Sequence, residues 1–259
     1  MAYTIAIANE KGGVAKTTTT LSLGAALAEN GQKVLIVDLD PQANLSMAIG
    51  VQVPKLQISI KHVLLENASP TTAIQQTSIE NLFILPATHD LSQCEHLMPE
   101  RSGYVMTLRK ILKGLSGYDA ILLDCPPFLG AITFNALAAA DLLLVPTQAE
   151  YFSIAALRNL MNTLRQVRAE FNPRLTYRLL LTMFDRRNRI HRTLSEQLRT
   201  SFSSGIMTTV IEIDTKLREA PISGVPINMH APKSRAALQY RALAQEISEY
   251  AKETTAQPA

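Results

Sequence analysis

Tryptophan is absent from this chain of 259 residues, the other aromatics make up only 5% of it, and there are two cysteines. Cys94 and Cys125 lie too far apart for a zinc-knuckle spacing and are too few for a disulfide framework, so they are read as free thiols. Nowhere does the chain reach the roughly 18 to 20 unbroken apolar residues of a membrane span. Its start also lacks a basic segment leading into an apolar signal core. A cytoplasmic protein without a membrane partner is therefore expected. His89, His191 and His230 stand alone without ligand spacing, which argues against a histidine metal site. No internal repeat or low-complexity segment is present.

Short β-branched runs alternate with longer stretches of helical period, the pattern of a parallel sheet with helices on both faces. The expected fold class is α/β: a doubly wound, mostly parallel twisted sheet forming one domain over residues 1–259. The pattern predicts strands over Tyr3–Ala8, Val34–Asp38, Leu82–Pro86, Ala120–Asp124, Leu142–Pro146, Tyr177–Met183 and Thr208–Ile211. A first helix is predicted from Lys16 to Asn30, stopped by Gly31, and a last one from Ser234 to Lys252. Residues 253–259, ETTAQPA, are read as a flexible tail. The irregular segment Gly50–Glu80 is read as an inserted loop and a short helix, and Tyr151 and Phe152 as packing against the sheet.

The net charge of +3 is modest but unevenly placed: Tyr151 to Thr200 holds ten arginines against three acids, and the remainder carries more acids than bases. Such asymmetry marks either a polyanion-binding face or several solvated helix faces, and counting alone leaves both open.

The most specific stretch is NEKGGVAKTT, residues 9–18. A phosphate loop needs a strand to aim it, small residues that let backbone amides approach, and a helix N-terminus facing the anion. YTIAIA supplies the strand, Gly12 and Gly13 the small residues, and Lys16-Thr17-Thr18 the helix start. Lys16 then reaches the β and γ phosphates, and Thr17 offers its hydroxyl to Mg²⁺. Against the common pattern G-x-x-x-x-G-K-[ST], Glu10 and Ala15 replace both fixed glycines. Ala15 is tolerable with a negative φ.

With Lys11 ahead of Lys16, KGGVAKTT resembles the deviant Walker A motif KGGxGK[ST] of the ParA and MinD group of P-loop ATPases. The resemblance implies ATP and Mg²⁺ as cofactors, with Lys11, Gly12, Gly13, Val14, Ala15, Lys16, Thr17 and Thr18 around the nucleotide. It also implies an ATP-bound homodimer in which Lys11 reaches the phosphates of the facing subunit, as an arginine finger does. VLIVDLDPQANLS is similar to the family's second motif, implying that Asp40 orients the attacking water and Asp38 supports the magnesium shell. YDAILLDCPPFLG looks like Walker B and a switch loop, with Asp124 holding Mg²⁺ through water. Met183 and Phe184 are placed near the adenine or in the core.

VPTQAEYFSIAAL, LTMFDRRN and TKLREAPISGVPI look like the partition ATPases of this group. What this implies is slow, partner-stimulated ATP hydrolysis, nonspecific DNA binding, nucleoid association and a ParB-like adaptor on plasmid or chromosomal DNA. Arg187 and Lys216 match the family's basic DNA-contacting positions, with Arg186, Arg189 and Arg218 as secondary candidates. Glu212, Ile213 and Asp214 stand where partition proteins of this size carry Pro-Arg-Asn. Without a long N-terminal extension, a helix-turn-helix and autoregulation are not expected. The alternatives are the same switch moving a protein cargo such as a carboxysome or chemoreceptor cluster, a MinD-like membrane ATPase, and an iron-sulfur ATPase like the nitrogenase iron protein. The missing basic amphipathic helix after Ser248 disfavours the second. Cys125 directly after Asp124 fits the third poorly, since there the cysteine lies several residues beyond the aspartate.

Overall fold

The computed structural model describes residues 2–256, except the side chains of 151–156 and of 256. Eight strands form one sheet: β1 (Tyr3–Ile7), β2 (Val34–Asp38), β3 (Gln75–Gln76), β4 (Leu82–Leu85), β5 (Ala120–Asp124), β6 (Leu142–Thr147), β7 (Thr176–Phe184) and β8 (Ile206–Glu212). Their order is β3-β4-β2-β5-β1-β6-β7-β8, and every pairing is parallel except β3 with β4. This is the doubly wound α/β arrangement the alternation of strands and helices predicts.

Every position of β2 and β5 is buried, so both of their faces are covered. Alternate residues divide between two cores. Leu35, Val37, Ile121, Leu123, Leu143 and Val145 face one, with Ile132, Leu137, Leu160 and Leu164 from the helices above. Val34, Ile36, Ala120, Leu122, Leu142 and Leu144 face the other, with Leu23, Leu27, Tyr240 and Leu243. The helix α1 (Lys16–Glu29) lies so close to the sheet that a Cβ on Gly24 would sit 2.9 Å from Ile36 Cγ2. Thr19 and Tyr240, both fully buried, meet through their hydroxyls at 3.2 Å and tie α1 to the last helix, Arg235–Ala256.

Register brings the chemistry together. Asp38 at the end of β2 lies opposite Asp124 at the end of β5, and Ile7 at the end of β1 also pairs with Asp124. Ligands of open α/β sheets bind beyond the carboxyl ends of the strands, where the strand order reverses; here that place is the loop after β1.

Several expectations need correction. The segment from Gly50 to Glu80 holds a 3-10 turn (Val53–Lys55), two short helices (Ile60–Leu65 and Pro70–Ala73) and the antiparallel edge strand β3. The last helix runs past Lys252 to Ala256, so Glu253 to Ala256 are helical, and 257–259 lie outside the described residues. Thr254 Oγ1 sits 3.5 Å from Tyr3 OH and also donates to Tyr250 O at 3.0 Å, contacts that hold the added turn. The packing expected of Tyr151 and Phe152 falls on side chains outside the described residues.

Candidate active site

Between β1 and α1 the chain makes an open loop. A Cβ on Gly12 or Gly13 would meet none of the described residues within 4 Å, which leaves room for a bulky anion, and Gly13 has φ +72°. Ala15, tolerable in the loop on the condition of a negative φ, instead adopts φ 67° and ψ 36°, the left-handed conformation, and caps α1. The reason is geometric: the chain must turn sharply out of the loop into a helix already fixed against the sheet, and that turn needs a left-handed residue. Among the described residues no side chain caps α1, and its first turn carries no acid. Its leading amides, aimed out of the loop, therefore suit an anion.

The two loop lysines are held differently. Lys16 is 8% exposed, and its Nζ donates to Asn9 O at 3.0 Å and Lys11 O at 3.1 Å. Burial pulls its pKa down, against the opposing pull of Asp124. Lys11 Nζ instead reaches Gln148 Oε1 at 2.8 Å and Glu150 Oε2 at 2.7 Å, beyond the end of β6. Asn9, Gln148 and Thr182 brace the loop through Pro146 O, Gly13 O and Val14 O.

Beside the loop lie three carboxylates. Asp38 is fully buried; its Oδ2 accepts from Ser46 N at 2.8 Å and Ser46 Oγ at 2.7 Å, and its Oδ1 from Asp40 N at 3.2 Å. Desolvation still pushes its pKa up to about 6. Asp124 is also fully buried and goes up to about 8, first through desolvation and then through the neighbouring Asp38. Thr20 Oγ1 donates to its Oδ1 at 3.1 Å, whereas Oδ2 is buried with no hydrogen-bond partner among the described residues. Thr17 lies beside the same carboxyl and favours its charged form. An orphaned carboxylate oxygen beside hydroxyls at a helix N-terminus fits a hard divalent cation with its waters. Among the described residues no three His, Cys, Asp or Glu form an all-protein cage. Mg²⁺ needs none, because one or two carboxylates, phosphates and water suffice. Asp40, 8% exposed, accepts from Gln42 N at 2.9 Å.

On the other flank, Gly13, Ala15 and Thr18 open into a cleft of about 240 Å³ with Met183, Ile211, Glu212, Ile213, Asp214, Leu217 and Arg218 in its lining. Met183 Sδ is 2.8 Å from Gln148 Nε2. A larger groove of about 740 Å³ runs along the β3 edge; its lining includes Lys55 and no carboxylate, so the chemistry favours the smaller cleft. Glu212, 5% exposed, holds Arg186 at 2.8 Å and Arg235 at 3.1 Å. Arg187 projects into solvent and pairs with Asp185 at 3.1 Å, and Lys216 pairs with Glu219 at 2.7 Å. Arg189 opens the helix Arg189–Phe202. These basic residues thus follow β7 and β8, on the flank away from Asp38 and Asp124. Cys94 and Cys125 are buried free thiols.

Sequence reasoning missed Thr20, Ser46, Asn9, Gln148 and Glu150. Thr20 was legible, four residues after Lys16 in a run of threonines and hence on the same helix face. Ser46 and Glu150 gave no local signal.

A family model described as an AAA domain matches residues 2–177. The chain is 42% identical over 244 residues to the chromosome-partitioning ATPase Soj of Thermus thermophilus, covering 94% of each. It is 39% identical over 250 residues to the sporulation initiation inhibitor protein Soj of Bacillus subtilis, covering 96% of this chain and 99% of that one. A cobyrinic acid a,c-diamide synthase from Mycobacterium smegmatis with bound ADP and magnesium superposes with TM-score 0.86 at 34% identity, covering 97% of this chain and 96% of that one.

Proposed function

The chain belongs to the ParA-type partition ATPases, and from that premise we propose that it is an ATP-dependent dimerising switch. In this reading it binds DNA without sequence preference and works with a ParB-like adaptor to position plasmid or chromosomal DNA. The observation that carries the proposal is the convergence of Lys16, Thr17, Asp38, Asp40 and Asp124 on one open loop, with a buried Asp124 oxygen that has no hydrogen-bond partner among the described residues.

Gly12, Gly13, Val14 and Ala15 present backbone amides to the phosphates of ATP, joined by Lys16 and Thr18. Lys16 exchanges its two carbonyl partners for phosphate oxygens, a stronger charge-assisted contact. Thr17, Asp38 and Asp124 would hold Mg²⁺ and its waters, and the ion would supply positive charge to neutralise the phosphate oxygens. Asp40 orients the attacking water. Met183 and the neighbouring apolar residues receive the base in the cleft. Lys11 leaves Glu150 and Gln148 for the phosphates of a second subunit, so dimerisation and hydrolysis share one lysine. Hydrolysis is slow until the adaptor stimulates it. Arg187 and Lys216 contact DNA phosphates, helped by Arg186, Arg189 and Arg218, and each dimer presents these cations twice. Nucleoid association follows from that contact. No described helix is long and apolar enough to cross a membrane.

Size analysis with and without ATP tests the proposal. Wild type is expected to dimerise with ATP, Asp40→Ala to stay dimeric without turnover, and Lys11→Ala to bind ATP as a monomer. A Lys11→Ala dimer with wild-type turnover would refute the role in trans. ATP-bound dimers that ignore DNA would instead favour a protein cargo.

A further inference from the structure

The segment after β4 touches both loops that carry the carboxylates. At its start, Ala87 N donates to Ser46 Oγ at 3.0 Å, and Ser46 Oγ donates on to Asp38 Oδ2. His89 Nδ1 lies 2.9 Å from Pro41 O, a distance it bridges as a donor, in the loop just past Asp40. At the far end Glu95 turns to the other loop. Its Oε2 accepts from Ala131 N at 2.6 Å and its Oε1 from Ile132 N at 3.0 Å, the first two amides of the helix Ala131–Ala139.

That helix begins where the segment Cys125–Gly130, running directly from Asp124, ends. A carboxylate on the first two amides forms charge-assisted hydrogen bonds and also meets the positive end of the helix dipole. Helix and segment are bound to each other as well: Thr133 Oγ1 donates to Phe128 O at 2.7 Å and Phe134 N to Gly130 O at 3.0 Å. Gly130 makes the approach of Glu95 feasible. A Cβ there would collide with Glu95 Oε2 and lie 2.8 Å from Glu95 Cδ. Because φ at Gly130 is −101°, glycine is needed there for space and not for backbone conformation.

We infer that Glu95 is a positioning residue for hydrolysis: by capping the Ala131–Ala139 helix it fixes the segment after Asp124 relative to the Asp38–Asp40 loop. It touches no reacting group. Its effect passes through the strap from Ala87 to Glu95, which holds the two carboxylate-bearing loops in one register. The inference rests on the ATPase reading above.

The test measures turnover, affinity for a non-hydrolysable ATP analogue and amide exchange at Ala131 and Ile132, in wild type, Glu95→Ala, Glu95→Gln, Gly130→Ala and the Glu95→Ala/Gly130→Ala double variant. Glu95→Ala and Gly130→Ala are each expected to lower kcat about tenfold, as expected for a small misplacement of catalytic parts. Analogue affinity should stay within about twofold of wild type, and both amides should lose protection. Glu95→Gln, which keeps one acceptor, should fall between. The double variant should be no slower than the slower single one, because both changes remove the same contact. Wild-type turnover in folded Gly130→Ala, or additive losses in the double variant, would overturn the inference. So would a loss of analogue affinity as large as the loss in kcat. An inactive wild type would instead defeat the ATPase reading, and amide exchange would still report the cap.

Discussion

At the carboxyl ends of β1, β2 and β5 the charges are buried: Asp38 and Asp124 are fully enclosed and Lys16 is 8% exposed. Beyond β7 and β8, Arg187 and Lys216 reach solvent and pair with acids close in sequence, Asp185 and Glu219, while Arg186 reaches back to Glu212. The first group is costly to hold without a ligand, because a buried charge loses its hydration and recovers little until a partner of opposite sign arrives. The second costs almost nothing, since exposed ion pairs contribute only about 0 to 1 kcal/mol and are screened by salt. One flank is thus organised in advance for tight binding of a compact, highly charged ligand. The other suits loose, salt-dependent contact with an extended polyanion.

The largest expected break in this contrast comes from Lys16→Ala. Losing a lysine that makes charge-assisted bonds inside the loop should lower affinity for an ATP analogue by about 3 kcal/mol, more than a hundredfold. Calorimetric titration measures it, and wild-type affinity would mean that the loop amides alone carry the phosphates.

Next comes the pH dependence of the ligand-free fold. Asp124 has a pKa near 8 in the folded chain, above its ordinary value, so the native state retains a proton that the unfolded chain releases. The penalty is absent below about pH 4 and grows as pH rises until it passes about 8. Asp124→Asn should flatten that decline and raise the Tm of the ligand-free protein at pH 8 by at least about 2 to 4 °C. Equal slopes of Tm against pH in the two proteins would show that Asp124 is not the buried acid that matters.

Ala15→Gly has a smaller effect. It relieves about 1 to 2 kcal/mol of left-handed strain and adds about 0.5 to 1 kcal/mol of backbone entropy lost on folding. A net gain of about 0.5 to 1 kcal/mol is expected in thermal unfolding, with nucleotide affinity preserved or raised. A lower Tm would mean that the methyl group makes packing contacts worth more than the strain.

The smallest effect on stability is expected from Arg187→Ala and Lys216→Ala, within about 0.5 kcal/mol of wild type. Their signature should be in DNA binding with ATP. Each lost phosphate contact lowers the slope of log affinity against log salt by about 0.9 on duplex DNA. Unchanged slopes in intact dimers would place the DNA face elsewhere.

The loop was legible because its demands are local: a strand, two glycines and a lysine at a helix start lie within a few residues of one another. The strand positions were legible too, since full burial leaves continuous apolar runs such as VLIVD. Ala15 was misread because a methyl group usually forbids the conformation that the entry into α1 imposes. The edge strand β3 escaped because two glutamines carry no strand pattern and pair only where β4 offers a free edge. Lys11 and Glu150 meet across a separation of 139 residues, which no local period encodes.

By itself the sequence determined where the loop and all strands except β3 would lie, through alternation of side chains and the special freedom of glycine. Only the tertiary structure decided that Asp38 and Asp124 share one dry place. The order β2-β5-β1 sets their strand ends side by side, and the two covering layers shut out the water that would have kept each carboxylate ordinary.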